Sequence, residues 1–178
     1  MRYLTLVFLS FVCAFVSAQQ KEPFLLEIEQ GQALAWEGNL VVGSPLASLD
    51  WAWNSQNACF VEPRADLFTG NNVLYRTEIP KYSTMVIRVV PKDKKKNLSL
   101  YAYSGGGGAV PPELYSCVSC EADFKIDQRV IGRKRPRHVR QVELRAVNRP
   151  YPITIGVVGT EGLTEGDYTL EISVVKNR

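Results

Sequence analysis

The 178-residue sequence contains a single histidine, His138, and none of the short motifs that mark common catalytic sites. It has no Gly-x-Ser-x-Gly elbow, no His-Glu-x-x-His zinc motif and no EF-hand spacing. The glycine run at residues 105–108 lacks the Lys and Ser or Thr of a phosphate-binding loop. Because catalysis needs a nucleophile, a base or a metal cluster in fixed geometry, we expect that this protein is not an enzyme.

Long apolar runs are also scarce. The longest, residues 4–16, lies at the N-terminus and is too short to span a membrane. Arg2 precedes it, and small residues end it at Ala18, so residues 1–18 are predicted to be a signal peptide. A lipid anchor at Cys13 is disfavoured, because bulky residues precede this cysteine. The mature chain, residues 19–178, is therefore expected to be secreted or periplasmic.

Charge of one sign is not in large excess. The formal net charge of +3 would fall to +2 on removal of Arg2 with the signal peptide. A nearly neutral protein has no global field that attracts nucleic acid or a membrane surface. The basic cluster at residues 133–137 has no aromatic residues within it and follows several acidic ones, so we interpret it as a solvated hairpin extension rather than a site for acidic polysaccharide or nucleic acid.

Three cysteines remain after signal removal: Cys59, Cys117 and Cys120. An odd number in an exported protein predicts one structural disulfide and one free thiol. Cys117 and Cys120 could close a small ring, or one of them could pair with Cys59. Three thiols with His138 would also suffice for zinc, and a Cys-x-x-Cys redox role is a weaker alternative since no helix follows the motif.

Most of the remaining chain alternates apolar and polar side chains with a period of two, which is typical of half-buried β-strands. Glycine, proline and asparagine bound the runs and indicate turns. The predicted strands are residues 24–29, 73–79, 84–90, 97–103, 138–147, 151–158 and 167–175, and residues 32–42 contain a further apolar stretch. We therefore expect an all-β, antiparallel β-sandwich in a single domain.

Two features of this pattern refine the expected fold. The strands at residues 73–79, 84–90 and 97–103 are joined by short turns, which predicts an antiparallel meander. Residues 104–137 show no clear strand and are predicted to be an insertion loop held by its cysteines.

Aromatic residues supply the candidate binding surface. Trp51 and Trp53 would share a face if they lie on a strand, and Tyr75, Tyr101 and Tyr103 lie on predicted strands. Exposed, such rings could stack on a sugar or contact a peptide; buried, they would be ordinary packing, which we consider the more common outcome.

Oxygen donors at turns raise the question of calcium, which prefers six to eight oxygen ligands. Asp93, Asn97 and Asp167 flank predicted strands and are weak calcium candidates. Solvated turn residues are the favoured interpretation, and no other cofactor is expected.

Two segments carry a resemblance to a known family. Residues 97–103 read Asn-Leu-Ser-Leu-Tyr-Ala-Tyr, and residues 166–172 read Gly-Asp-Tyr-Thr-Leu-Glu-Ile. Together with the order of strands, residues 73–175 resemble the bacterial pre-peptidase C-terminal domain. That family's central strand commonly reads Asp-Leu-Asp-Leu-Tyr, and this chain has Asn97 and Ser99 in place of the two aspartates.

The resemblance implies a jelly-roll β-sandwich and a non-catalytic accessory role. Members usually accompany an exported enzyme and are thought to aid secretion, localisation or substrate binding. In calcium-binding members, acidic residues near the central strand help to hold the ion. We therefore expect a secreted bacterial binding module for extracellular polysaccharide or protein surfaces. A structural subunit of an envelope assembly that self-associates is the alternative, and an uncharacterised hydrolase a weaker one.

Overall fold

The structure, a computed structural model, describes residues 22–54, 62–104, 109–114, 117–122 and 139–177. The predicted signal peptide, Cys59, the basic cluster and His138 lie outside the described residues. No helix in the described part of the chain is long and apolar enough to cross a membrane.

The described residues are almost entirely strands and turns. Short 3₁₀ helices occupy Leu40–Val42, Asp50–Asn54 and Glu62–Phe68. The strands are β1 (Phe24–Leu25), β2 (Ala33–Asn39), β3 (Ser44–Pro45), β4 (Asn71–Ile79), β5 (Ser83–Pro91), β6 (Leu98–Ser104), β7 (Cys117–Glu121), β8 (Arg140–Ala146), β9 (Tyr151–Gly159) and β10 (Asp167–Lys176).

The strands form two packed sheets with jelly-roll connectivity. One sheet, which we call sheet A, has the order β1-β4-β9-β6-β7, and β3 pairs with β4; the other, sheet B, has the order β2-β10-β5-β8. Among the eight longer strands, the first pairs with the last, the second with the seventh, the third with the sixth and the fourth with the fifth, always antiparallel. This is the pattern of one long hairpin wrapped into a two-sheet sandwich, so the expected antiparallel jelly-roll-like β-sandwich is confirmed.

The main core lies between the two sheets and follows the period-two pattern of the sequence. Alternate residues of β5, β8 and β10 in sheet B point inward and are buried. In β10 these are Tyr168, Leu170, Ile172 and Val174, and they meet inward residues of sheet A such as Val73, Leu100 and Ile155. Burial of such apolar side chains is the main stabilising term of a sandwich.

A second, smaller core covers the outer face of sheet A. The segments around the 3₁₀ helices at Asp50–Asn54 and Glu62–Phe68, together with residues 109–114, lie on this face. They bury Phe68, Leu74, Tyr101 and Tyr103. Sheet A is therefore apolar on both faces, whereas sheet B exposes one face to solvent.

A pair of buried tyrosines joins the two sheets within the main core. The hydroxyl groups of Tyr75 on β4 and Tyr168 on β10 are hydrogen-bonded at 2.7 Å. Gly38 on β2 leaves the room for them, because a Cβ atom there would lie 2.5 Å from the Tyr168 ring and 2.6 Å from the Tyr75 hydroxyl. Phe24 covers the Tyr75 ring at a centroid distance of 5.6 Å.

Three strand predictions were wrong in part. The meander does not form, because the turns after β4 and β5 carry the chain to the opposite sheet: β4 pairs with β9, β5 with β8 and β10, and β6 with β7 and β9. The first strand covers only Phe24–Leu25, since the chain leaves β4 after the Leu26 amide bonds to Arg76. Residues 104–137 do contain a strand, β7, although its sequence has little alternation.

Buried tyrosines predict a loss of stability at alkaline pH. Burial raises the pKa of Tyr75, Tyr101 and Tyr168 above the ordinary value of 10.0. Above about pH 10 the unfolded chain loses these protons while the folded chain keeps them, so the free energy of unfolding falls as the pH rises. We expect urea unfolding curves to shift to lower urea above about pH 10, with tyrosinate absorbance rising as circular dichroism is lost.

Tyr82 provides the control for this experiment. Its side chain is exposed, so Tyr82→Phe should leave the alkaline unfolding midpoint unchanged. Full tyrosinate absorbance in a protein that keeps its folded circular dichroism would contradict the burial of these three rings.

Candidate functional site

The structure buries the aromatic side chains that the sequence offered as an exposed binding surface. Tyr75, Tyr101 and Tyr103 are 0% exposed, so none of them can contact a ligand at the surface. Trp51 is half-buried, with its ring 5.4 Å from that of Tyr103 and its indole N–H donated to the Ser48 carbonyl at 2.9 Å. The side chain of Trp53 lies outside the described part of the structure.

Burial of Tyr101 and Tyr103 has a clear physical origin. Both lie on β6 and face away from the main core, as the alternation predicts, but the second core covers that face. The Tyr101 ring also lies over Gly156 of the neighbouring strand, where a Cβ atom would be 1.9 Å from it. These two residues and Tyr75 therefore do not form a stacking platform, and they are packing residues, the outcome considered the more common from the sequence.

The calcium candidates are only partly brought together. Asp93 and Asp167 line the same cleft, whereas Asn97 is buried and its side-chain oxygen accepts a hydrogen bond from Arg140 at 2.9 Å. Asp93 and Asp167 accept hydrogen bonds from the Lys95 amide and the Asn39 side chain, at 2.9 and 2.7 Å. Among the described residues no group of three or more His, Cys, Asp or Glu is placed to hold a metal ion.

The two cysteines of β7 have different environments. Cys117 is not part of a disulfide and belongs to the second core, and burial raises the pKa of its thiol to about 11. Cys120 is disulfide-bonded, and its partner lies outside the described residues. The short ring between Cys117 and Cys120 is therefore excluded, and Cys59 as the partner of Cys120 stays a prediction.

A surface concavity lies at one end of the sandwich, which we call the loop end. It is formed by residues 39–43 after β2, residues 91–97 between β5 and β6, and residues 160–167 between β9 and β10. Two adjacent clefts open there, with volumes of about 640 and 630 Å³. The first is lined by Asn39, Val41, Lys92, Asp93, Glu165 and Asp167, and the second by Lys95, Thr160, Glu161, Gly162 and Thr164.

Ion pairs shape the loop end. Lys96 and Glu165 form a 3.1 Å pair, and both residues line both clefts, so the pair separates them. Lys92 pairs with Glu37, and their hydrogen bond lowers the pKa of the Glu37 carboxyl and raises that of Lys92. Acidic and basic groups therefore alternate across this surface.

Buried Asn71 holds two loops of the loop end together by hydrogen bonds. Its side-chain amide donates to the Leu40 carbonyl and to the Thr164 carbonyl, each at 3.0 Å. Its backbone amide donates to the Leu163 carbonyl at 3.0 Å. Asn71, at the start of β4, thus connects residues 39–43 to residues 160–167. Its buried side chain also has the hydrogen-bond partners that a buried polar group needs.

A second buried network holds the loop between β5 and β6. Arg140, only 2% exposed, donates to the Leu98 carbonyl and the Asn97 side chain, each at 2.9 Å. The Asn97 carbonyl in turn accepts hydrogen bonds from the amide and hydroxyl of Thr160. These bonds connect β8 of sheet B to β6 of sheet A, and they hold the clefts in a preformed shape.

Comparisons with known proteins give fold likenesses only. No family model matches the sequence, and no curated protein matches it. Among solved structures it is similar to PliG of Aeromonas hydrophila, a periplasmic inhibitor of g-type lysozyme (9% identity over 86% of this chain and 97% of that one, TM-score 0.46). It is also similar to the pre-peptidase C-terminal domain of Bacillus anthracis collagenase (11%, 87% and 98%, TM-score 0.42).

A third likeness is to CorA, a surface-associated copper-binding protein of Methylomicrobium album BG8 (9% identity over 87% of this chain and 98% of that one, TM-score 0.45). One of the three belongs to the family that the sequence resembles, at 11% identity. At such identities and TM-scores, none of them indicates a ligand or an activity for this chain.

Removal of the Asn71 side chain should loosen the loop end. Asn71→Ala leaves two buried carbonyls without their donor, so we expect the free energy of unfolding to fall by about 2 kcal/mol. Amide hydrogen exchange at Leu40 and Leu163 should become faster. Asn148→Ala, in an exposed turn, is the control and should change neither quantity. Unchanged exchange in Asn71→Ala would show that the loops hold their shape without it.

The cysteine environments predict the result of a thiol count. Native protein at about pH 8 should resist alkylation at Cys117, because the thiol is buried and its pKa is raised. After denaturation without reductant, the processed chain should gain one alkyl group by intact mass, provided that Cys59 pairs with Cys120. Three alkyl groups would contradict the disulfide and favour a metal or redox role for these cysteines.

Proposed function

We propose that this chain is a non-catalytic binding module of the cell exterior or periplasm, and that its loop end contacts the surface of a partner protein. The observation that carries the proposal is the preformed pair of clefts lined by alternating acidic and basic side chains. Buried bonds from Asn71 and Arg140 fix the loops before any partner arrives, which lowers the entropic cost of binding.

The chemistry of the clefts favours a protein over a polysaccharide. Sugar rings commonly stack on exposed aromatic side chains, and the candidate rings Tyr75, Tyr101 and Tyr103 are buried. Surfaces that carry both charge signs are suited to partners with a complementary pattern, because such patterns set orientation and specificity. Exposed Val41, beside the first cleft, offers an apolar contact among these charges.

The assignment to an exported compartment rests on the N-terminal segment, with its basic start, apolar run and small residues before position 19. The disulfide at Cys120 supports the same assignment, since such bonds persist in oxidising compartments. We also propose that the chain is a member of the pre-peptidase C-terminal family, on the basis of the two strand motifs at residues 97–103 and 166–172.

A charge swap tests the role of the loop end without removing its internal ion pair. Lys96→Glu with Glu165→Lys keeps the attraction between these two residues but reverses the charges presented to a partner. The matched control is Arg88→Glu with Glu171→Arg, which swaps the 2.7 Å pair on the exposed face of sheet B. A photo-crosslinking amino acid substituted for Val41 would form a covalent adduct with whatever molecule contacts the first cleft in living cells of the source organism.

We expect a discrete protein adduct from Val41 that falls about tenfold with the loop-end swap and is unchanged by the control swap. A carbohydrate adduct would show that the partner is a polysaccharide and not a protein. An adduct that is insensitive to the loop-end swap, or the absence of any adduct, would contradict the proposed site.

A further inference from the structure

Among the described residues, strand β2 is an edge strand of sheet B. Within that part of the chain it pairs with β10 alone, in a regular antiparallel register from Asp167 opposite Asn39 to Ser173 opposite Ala33. At its two ends, the Leu40 amide donates to the Gly166 carbonyl and the Val174 amide donates to the Gln32 carbonyl. In an antiparallel ladder the bonded positions alternate, so the even-numbered residues of β2 bond to β10.

The odd-numbered residues therefore direct their backbone groups away from the sheet. The amides and carbonyls of Ala33, Ala35 and Glu37 point to the free edge, and all three residues are exposed. No hydrogen bond from these three amides is found within the described residues. Unpaired edge groups of this kind are a template for another strand.

The other edges of the two sheets are short or covered. β1 has two residues, and β7 has five and lies beside β8. On β8 the Gln141 amide is already bonded to the Glu121 carboxylate. The seven-residue β2 contains neither lysine nor proline, the residues that commonly protect an edge, and its outward amides have no such side-chain partner among the described residues. Among the described strands, β2 therefore presents the longest unprotected edge.

Partly exposed apolar side chains lie next to this edge. Leu34 and Trp36 face the core side of β2 but are only half-buried. The Phe24 ring, 40% exposed, lies 6.0 Å from that of Trp36, and neighbouring Leu25 is 67% exposed. Whatever strand pairs with β2 would cover these groups as well as the backbone.

We propose that the occupant of this edge is a second copy of the chain, paired through antiparallel β2 strands about a two-fold axis at Ala35. In this register Ala35 faces Ala35 of the second copy, and Ala33 faces Glu37, which gives about six backbone hydrogen bonds. On the core side, Leu34 of each copy faces Trp36 of the other, so the apolar side chains cover one another.

Charge disfavours the neighbouring register that has its axis at Trp36. With the axis at Ala35, the two Glu37 carboxylates lie four residues apart, about 14 Å along the strands. An axis at Trp36 would place them about 7 Å apart, and a one-residue slip would remove the backbone bonds altogether. The edge is thus complementary to itself, as an interface between identical copies requires.

The proposal is tested by sedimentation velocity of the purified protein over a roughly hundredfold concentration range. We expect a monomer–dimer equilibrium whose dimer fraction rises with concentration. Amide hydrogen exchange at Ala33, Ala35 and Glu37 should slow in step with the dimer fraction, because those amides become bonded. A protein that stays monomeric throughout would overturn the proposal, and would leave the edge to a different kind of strand.

Two substitutions at the axis locate the interface. Ala35→Pro removes a donor that the fold does not use, and proline is tolerated at such edge positions. Ala35→Lys places two like charges directly opposite each other. Each should weaken the dimer at least about tenfold. The control, Gln141→Lys, adds the same charge to the exposed face at the other edge and should leave dimerisation unchanged.

A dimer that survives both Ala35 substitutions, or one that leaves the three β2 amides unprotected, would also overturn the proposal. Ala35→Lys keeps the backbone donor, so loss of the dimer in this variant cannot be attributed to a proline-induced change in β2. Ala33 and Ala35 do not line the clefts of the loop end, so these outcomes leave the proposed binding function standing.

Discussion

The hydrogen bond between Tyr75 and Tyr168 is the point on which the two sheets depend. It joins β4 of sheet A to β10 of sheet B inside an apolar core, where an unpaired hydroxyl would be costly. Its position also requires Gly38 on β2, since any side chain there would collide with both rings. The first, second and last of the long strands are thereby fixed relative to one another, and the loop end begins within two residues of Tyr168, at Asp167 and Gly166.

Jelly-roll connectivity explains why loops distant in sequence meet at the loop end. Because the first long strand pairs with the last, Asn39 at the end of β2 lies beside Asp167 at the start of β10, and their side chains bond at 2.7 Å. Because β5 lies on the other side of β10, the Lys92 amide reaches the Asp167 carbonyl. Three loops thus meet at Asp167, and their charged side chains lie close together. No sequence motif predicts this proximity.

The sequence predicts what depends on alternation and turns, and little of what depends on pairing. Most strands, the inward faces of β5, β8 and β10 and the two charged turns of the loop end follow from period two and from glycine and proline. The pairing partner of each strand does not follow from the sequence, because alternation identifies which face of a strand is buried but not which strand lies beside it. For the same reason the sequence left open whether Tyr101 and Tyr103 are exposed or buried: nothing in β6 itself shows that distant segments cover its outer face.

The two proposed surfaces share β2, and the two sides of the sandwich are closed by different residues. Where β7 and β8 meet, Glu121 crosses from sheet A to an amide of sheet B and occupies the edge. On the opposite side, the rings of Phe24 and Trp36 span the gap between the sheets but leave the β2 backbone uncovered. The same strand supplies Asn39 to the first cleft, and Glu37 beside it holds Lys92 of the loop between β5 and β6. Glu37 therefore belongs to the β2 edge and, through its ion pair with Lys92, also to the loop end.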